Sequence, residues 1–355
     1  MHVLFGKSSR PLIGLDITTS SVKLIELGRS GSQFRVESYA AEATPQNAVN
    51  EKAVVDPDSV GEAIRRAVKR SGARSRECAI AINGDAAITK VIQMPSSLSG
   101  NELEGQVELQ ADQYIPFPME EVSYDFEVLG KSEHDPDMFD VLLVATRSEN
   151  VEQRQAAVEA AGLKAQIVDV EAFALENACR LLRHQMPEHG DSHNVAVIDF
   201  GASSTTFSVL RDLKVIYTRD FAFGGQQLTE EIMRTYGLSF EDAGRAKKEG
   251  GLPSNFEPEV LDPFIDDMTQ QVSRSLQFFL ASGSGREQPQ QILVCGGCAN
   301  IAGVADVIGS RVGIPTEIGN PLGDMKLSSR ARSGGVMKDA TALLTACGLA
   351  LRSFD

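Results

Sequence analysis

The sequence predicts an α/β protein made of two similar halves, with a smaller unit inserted into the first. Two strand-turn-strand segments, IGLDITTSSVKLIEL at 13–27 and AVIDFGASSTTFSVL at 196–210, superimpose at an offset of 183 residues. The alignment places Asp16 on Asp199, Ser20 on Ser203 and Ser21 on Ser204, with apolar residues on both flanks, as expected of a duplicated architecture. Between the two segments, a block at 78–162 has a β, α, β, β, α pattern of its own and reads as a compact insertion. The predicted units are therefore 1–77 with 163–193 and 335–355, then 78–162, then 194–334.

Composition agrees with this size and class. A chain of 355 residues corresponds to about two domains at ~150 residues each. Its net charge of -15 and hydrophobic fraction of 42% argue against disorder and against a nucleic-acid surface. No apolar run reaches the ~18 residues that cross a bilayer as a helix. At the amino end Lys7 and Arg10 follow the few apolar residues, the reverse of a signal peptide, so a cytoplasmic location is expected. The five cysteines, an odd number without recurring spacing, are expected as free thiols. Cys295-Gly-Gly-Cys298 has redox or zinc spacing but lacks a second pair or a histidine pair, and a glycine-rich turn after a buried strand accounts for it better.

Taken in order, 13–27 reads as strand, turn, strand, and 34–39 as a third strand. Val60, Ile64, Ala67 and Val68 have helical spacing over 58–71, with Gly72 placed as a left-handed cap. Arg65, Arg66, Lys69 and Arg70, with Arg74 and Arg76, form a basic cluster, read as a solvated helix face or as an attraction to anionic lipid or an acidic partner. Strands are expected within 78–94, then a helix at 101–114 halted by Ile115-Pro-Phe-Pro118, because proline cannot continue a helix. Residues 102–140 are strongly acidic. A strand at 140–146, a helix at 149–161, a strand at 165–170, a helix at 171–185 and a polar linker at 186–193 follow. The second half continues with strand 215–221, helix 227–236, helix 264–281, strand 291–295, a helix from 299 and a closing apolar helix at 339–352.

An aspartate ending a buried strand, followed by a turn of serine, threonine and glycine, surrounds a small concavity with backbone N–H groups and hydroxyls. Such a concavity suits phosphate, and a carboxylate at its edge implies Mg²⁺ between the two anions. Two such turns would clamp a polyphosphate from both sides. Gly296-Gly297, before a helix, would let a flat base approach the backbone, where no Cβ intervenes. No Walker motif and no strand-linked GxGxxG competes with this reading.

On these motifs the chain resembles the actin-like ATPase superfamily, with its ribonuclease H-like, two-domain fold: 16–23 looks like the first phosphate motif, 199–206 the second and 293–304 the adenosine motif. Residues 171–182 and 342–352 look like the two connecting helices at the hinge. More narrowly, GLDITTSSVKLIEL, Tyr114-Ile-Pro-Phe-Pro118, Asp169-Val-Glu-Ala-Phe-Ala-Leu175 and Phe223-Gly-Gly225 with Leu228-Thr-Glu-Glu231 are similar to the PilM family of type IV pilus assembly, nearly end to end. The resemblance implies an insertion like that of FtsA, binding of ATP with Mg²⁺, and capture of the cytoplasmic amino-terminal tail of a PilN-like inner-membrane protein. Other pilus assembly proteins and self-association are further partners it admits, with membrane contact through a partner. Asp16 and Asp199 would face Mg²⁺ through water; Thr19, Ser20, Ser21, Gly201, Ser203 and Ser204 would hold phosphates, with Lys23 adding positive charge. Gly224 and Gly225 would approach sugar and phosphates, Lys247 the ribose or base edge, and Gly296, Gly297 and Asn300 the adenine side. Glu171 falls where relatives hold a water-positioning glutamate, which makes it and Asp199 the candidate catalytic carboxylates.

Three departures stand out. Thr18 replaces the usual glycine of the first motif, Gly244 stands where many filament-forming relatives hold the ribose with a glutamate, and Thr206 replaces actin's water-orienting histidine. Tight binding with very slow turnover is therefore expected. The alternatives on the same fold are a sugar or acetate kinase and an FtsA-like division protein. No sugar-binding constellation supports the first, and the sequence ends at Arg352-Ser-Phe-Asp355, without the amphipathic anchor expected of the second.

Overall fold

The computed structural model describes residues 11–31, 33–50, 53–133, 135–283 and 287–355; the amino-terminal segment read above against a signal peptide lies outside them. Each half is built on five strands in the same spatial order. In the first these are Gln33–Ala43, Ser21–Ser30, Ile13–Ile17, Glu77–Ile82 and Lys164–Val170; in the second, Lys214–Phe221, Thr205–Arg211, Asn194–Phe200, Gln291–Gly296 and Thr316–Ile318. The first three of each set are antiparallel neighbours in sequence and need only turns. The last two are parallel and need crossovers. Helix Pro57–Ser71 supplies the crossover to Glu77–Ile82, and helix Asp262–Ala281 lies before Gln291–Gly296.

Local chemistry explains the boundaries. Asp56 accepts the Ser59 amide at the start of helix Pro57–Ser71, proline takes the first turn where no donor is needed, and left-handed Gly72 closes the end on the Val68 carbonyl. The helix lays Val60, Ala63, Ile64 and Ala67 on Ile13, Leu15, Val22 and Leu24. In the second half, Phe264, Met268, Val272 and Phe279 cover Ile198, Phe200, Phe207 and Val209. Full burial of each large side chain contributes about 1.5–3 kcal/mol. Of the basic cluster, Arg66 and Arg70 both pair with Glu42, and Arg65 donates to the Ala160 carbonyl.

The inserted unit is smaller than predicted. Strands Ala87–Pro95, Met138–Arg147 and Val122–Lys131 form an antiparallel sheet covered by helix Gly100–Tyr114, whose Leu103, Val107 and Ala111 meet Ile92, Met94, Val141 and Leu143. The boundaries 78–162 need correction at both ends. Glu77–Ile82 is an interior strand of the first sheet, and helix Ser148–Ala160 buries Ala157 and Val158 in the first core. A separate sheet therefore occupies only the interior, 87–147. The boundary at 334 also moves, because Lys326–Leu327 already pairs with Gln33–Ala43 and Ala331 sits in the first half's core.

Several helices differ from the expected lengths. The segment 171–185 is α-helical over Glu171–Cys179 and 3₁₀ over Arg180–Gln185. The helix expected from 299 starts at Val304, after left-handed Gly303, and the closing α-helix spans only Leu344–Leu351. Helix Phe240–Glu249 escaped the sequence reading because it buries little besides Ala243. Helices Glu171–Cys179 and Leu344–Leu351 pass between the halves. The first packs Leu175, Ala178 and Cys179 on the second half, the second packs Ala346, Cys347 and Ala350 on the first. They cross at Gly348, where a Cβ would stand 1.7 Å from the Ala174 carbonyl oxygen. Asn177 Nδ2 donates to the Gly348 carbonyl at 3.2 Å. Among the described residues no helix is long and apolar enough to cross a membrane.

Candidate functional site

The duplication holds at the level of single residues. In the first hairpin Asp16 pairs opposite Lys23, and in the second Asp199 pairs opposite Thr206, each with a turn of equal length beyond. Buried Asp16 receives the Lys23 ammonium at 2.9 Å. Burial disfavours the charged lysine, but the Asp16 carboxylate, with Asp199 and Asp339 beyond, outweighs it and raises the Lys23 pKa above its ordinary value.

Both turns keep donors for a ligand. Thr18 closes the first: its amide and hydroxyl donate to the Ser21 carbonyl at 3.0 and 2.9 Å, and its hydroxyl accepts the Ser21 amide at 3.2 Å. No residue from 18 to 21 has positive φ, so this turn has no need of the superfamily's glycine. In the second, the Gly201 amide donates to the Ser204 carbonyl at 3.0 Å. Among the described residues, the amides of Thr19, Ser20, Ala202 and Ser203 donate to no protein acceptor. The turns also touch, Thr19 Oγ1 donating to Ser203 Oγ at 3.3 Å.

A cavity of 1260 Å³ between the halves is lined by Asp16, Ser20, Ser21, Lys23, Glu171, Asp199, Gly201, Ser204, Gly225, Lys247, Gly296, Gly297 and Asn300. These residues come from distant parts of the chain and from both halves. Three predicted residues, Thr19, Ser203 and Gly224, are not part of this lining; Gly224 stands behind the second turn, where a Cβ would meet the Ala202 carbonyl oxygen at 2.4 Å. Its close approach lets the Gly225 and Gln226 amides donate to the Gly201 and Ala202 carbonyls. Gly296 has φ +88, and a Cβ there would lie 2.2 Å from the Phe200 carbonyl oxygen and 2.4 Å from Asp199 Oδ1. Lys247 is engaged internally, donating to the Gly225 carbonyl at 2.7 Å and to Thr229 Oγ1 at 2.6 Å. Burial holds its pKa below the ordinary lysine value.

The sequence reading missed other parts of the wall. Phe240, Phe256, Leu261 and Ile301 add apolar side chains to the lining. Asp220 enters through the strand beside the second hairpin and accepts the Thr206 hydroxyl at 2.5 Å. Outside the lining, Arg154 is a buried guanidinium attracted by Glu171 and Asp16, with burial pulling its pKa down. Only Asp220 had an accessible signal, its register opposite Thr206 on neighbouring strands.

The donor set fits a polyphosphate: unused amides on two facing turns, serine hydroxyls and a lysine, with an apolar side and a glycine cradle for a flat base. Among the described residues, no group of three or more histidines, cysteines and carboxylates could hold a metal by itself. Magnesium keeps several waters and is held by one or two carboxylates plus substrate phosphates, a role that Asp16 and Asp199 fit.

Comparison with known proteins places this geometry. Cell division protein FtsA of Bacillus subtilis is 26% identical over 261 residues, which span 67% of this chain and 58% of the FtsA chain. FtsA of Enterococcus hirae is 22% identical over 371 residues, 87% of this chain and 80% of its own length. Ethanolamine utilization protein EutJ of Carboxydothermus hydrogenoformans shares the fold at a TM-score of 0.55 and 16% identity, covering 99% of this chain and 91% of EutJ. A solved PilM-PilN type IV pilus biogenesis complex superimposes at a TM-score of 0.80 with 27% identity, covering 98% of this chain and 99% of the matched chain. The family model described as type IV pilus assembly protein PilM matches residues 14–354, so this chain, with its paired phosphate-type turns and inserted three-stranded unit, belongs to the PilM family of actin-like pilus assembly proteins.

Proposed function

We propose that this protein binds ATP with Mg²⁺ in the cleft between its halves and engages the cytoplasmic amino-terminal tail of a PilN-like inner-membrane protein, linking nucleotide state to assembly of a type IV pilus complex. The observation that carries the nucleotide reading is the meeting of the two turns through Thr19 and Ser203 while both keep unused amides. On this reading Asp16 and Asp199 orient water on the ion, and the serines of both turns and Lys23 donate to phosphate oxygens. The metal supplies charge neutralisation between carboxylates and phosphates. Gly296 and Gly297 admit the base, and Gly225 holds Lys247 at the sugar side. The partner reading is supported by the PilM-PilN match, and on this reading the protein reaches the inner membrane through that partner.

Glu171, at the start of its helix and on the cavity wall, is the candidate base for a hydrolytic water. A general base alone contributes about 10²- to 10⁴-fold, so turnover is slow. A steady-state rate above ~1 s⁻¹, an ordinary enzyme rate, would contradict this. For the partner, amide exchange is measured with and without a synthetic tail peptide of the cognate PilN-like protein. An extended peptide pairing with a strand edge protects amides in the three-stranded unit and the neighbouring edge of the first half. Protection confined to the second half would overturn the placement.

A further inference from the structure

The cavity wall includes residues that neither phosphate turn supplies. Gly84, Asp85 and Thr89, at the root of the inserted unit, line it together with Thr218, Arg219 and Asp220 of the second half. A Cβ at Gly84 would stand 3.4 Å from Asp220 Oδ2, an ordinary van der Waals distance. Gly84 does not have positive φ, so its backbone conformation does not require glycine, and the space taken by Asp220 is what a larger side chain would contest.

Each side of this contact is tied to one of the two functional regions. Asp220 accepts the Thr206 hydroxyl at 2.5 Å through its other oxygen, and Thr206 is the residue opposite Asp199 in the second hairpin. On the other side, buried Asn83 accepts the Asp85 amide at 2.8 Å, and the Ala86 carbonyl accepts the Thr146 hydroxyl at 2.8 Å. Thr146 lies on Met138–Arg147, the central strand of the inserted sheet, and its hydroxyl also receives Asn150 Nδ2 at 3.0 Å. The loop is thus held to the inserted sheet at one end and bears on the phosphate hairpin's neighbour at the other.

We infer that the Gly84 and Asp220 contact couples nucleotide occupancy of the cleft to partner binding on the inserted unit. The inference rests on the nucleotide and tail-peptide reading above and adds the place where the two sites act on each other. Any rotation of the halves about the Ala174 and Gly348 crossing changes the spacing between Gly84 and Asp220, which belong to opposite halves. Packed elements shift between discrete arrangements rather than deforming smoothly, so a change in spacing is passed to the inserted sheet as a displacement.

The test is a binding cycle by calorimetry on the full chain. The tail peptide is titrated with and without saturating ATP and Mg²⁺, in the wild type, Gly84→Leu and Gly84→Ala. Wild-type peptide affinity changes about fivefold or more with nucleotide, within the usual range for coupled sites. Gly84 lines the cleft, so the ratio for Gly84→Leu is read at an ATP concentration that saturates that variant; it falls to within about twofold of one, whereas Gly84→Ala, whose methyl makes ordinary contact, keeps the wild-type ratio, and a Gly84→Leu protein that binds no ATP counts against the inference. Coupling of wild-type size in Gly84→Leu, or no coupling in the wild type when both ligands bind, overturns the inference. Failure of either ligand to bind the wild type overturns the functional reading instead. A readout that needs no peptide is the Gly84→Cys, Asp220→Cys pair, specific because the five native cysteines are buried. Its disulfide yield under mild oxidation changes about threefold or more with a saturating nucleotide; an unchanged yield counts against the contact.

Discussion

Replacing Gly296 by alanine perturbs fold and site at one atom. At φ 88 and ψ 178 the backbone lies in a region essentially reserved for glycine, which costs a side chain about 1–3 kcal/mol. The added Cβ would lie 2.2 Å from the Phe200 carbonyl oxygen, on the paired central strand, and 2.4 Å from Asp199 Oδ1. Relief requires a shift of about an ångström in a packed sheet, an overpacking cost of a further ~1–3 kcal/mol. Together these predict a loss of about 4 kcal/mol, with Asp199 displaced. Urea denaturation at 25 °C measures it, followed by far-ultraviolet dichroism and by tyrosine fluorescence because two halves need not unfold as one. Gly297→Ala is the paired control: a Cβ there meets nothing within 4 Å, so stability changes by less than about 0.5 kcal/mol while a methyl enters the cleft. A Gly296→Ala protein within about 1 kcal/mol of wild type, or no more affected than Gly297→Ala, would refute the reasoning.

Lys23→Met leaves the buried Asp16 carboxylate without its ion pair and costs about 3 kcal/mol at pH 7 by urea denaturation; a loss under about 1 kcal/mol contradicts the pairing. Because the folded pKa of Lys23 is raised, its contribution is fully present below the unfolded value of 10.5 and is lost as pH rises through the folded pKa, so wild type and variant converge only above pH 10.5. The thiols provide a third check. All five are buried, with Cys78 pushed up to about 12 and Cys298 up to about 11 by loss of solvation. At pH 8 only about one Cys298 in a thousand is thiolate, so a thiol reagent labels none quickly in the native state and all after denaturation. Rapid native labelling of any one would disprove that burial.

The fold was readable because its main signals are local and repeated. The 183-residue offset brought Asp16 onto Asp199 in sequence, and the same offset reappears as Lys23 on Thr206 in the strand registers. Gly72 ended its helix as a left-handed position, a requirement one residue can announce. What was misread depended on distant partners. Cys78 and Ile80 alternate as in any strand, and only their pairing with Ile13–Ile17 and Lys164–Val170 assigns them to the first sheet rather than the insertion. Helix Phe240–Glu249, rich in charge, offered almost no apolar period to detect. In the site, residue types were legible but not their engagements: Lys23 is held by Asp16, Lys247 by Gly225 and Thr229, and Gly224 supports the second turn from behind. Gly84 reaches the cleft through tertiary contact alone.

The phosphate clamp is tested most directly by calorimetric titration of nucleotide-free protein with ATP and Mg²⁺, alongside Asp16→Ala and Asp199→Ala. The wild type binds with a dissociation constant of about 1 μM or tighter, roughly 8 kcal/mol, and each variant weakens this tenfold or more. A wild type that binds no nucleotide, or variants that bind as the wild type does, would contradict the clamp and leave the two matched turns as structural hairpins.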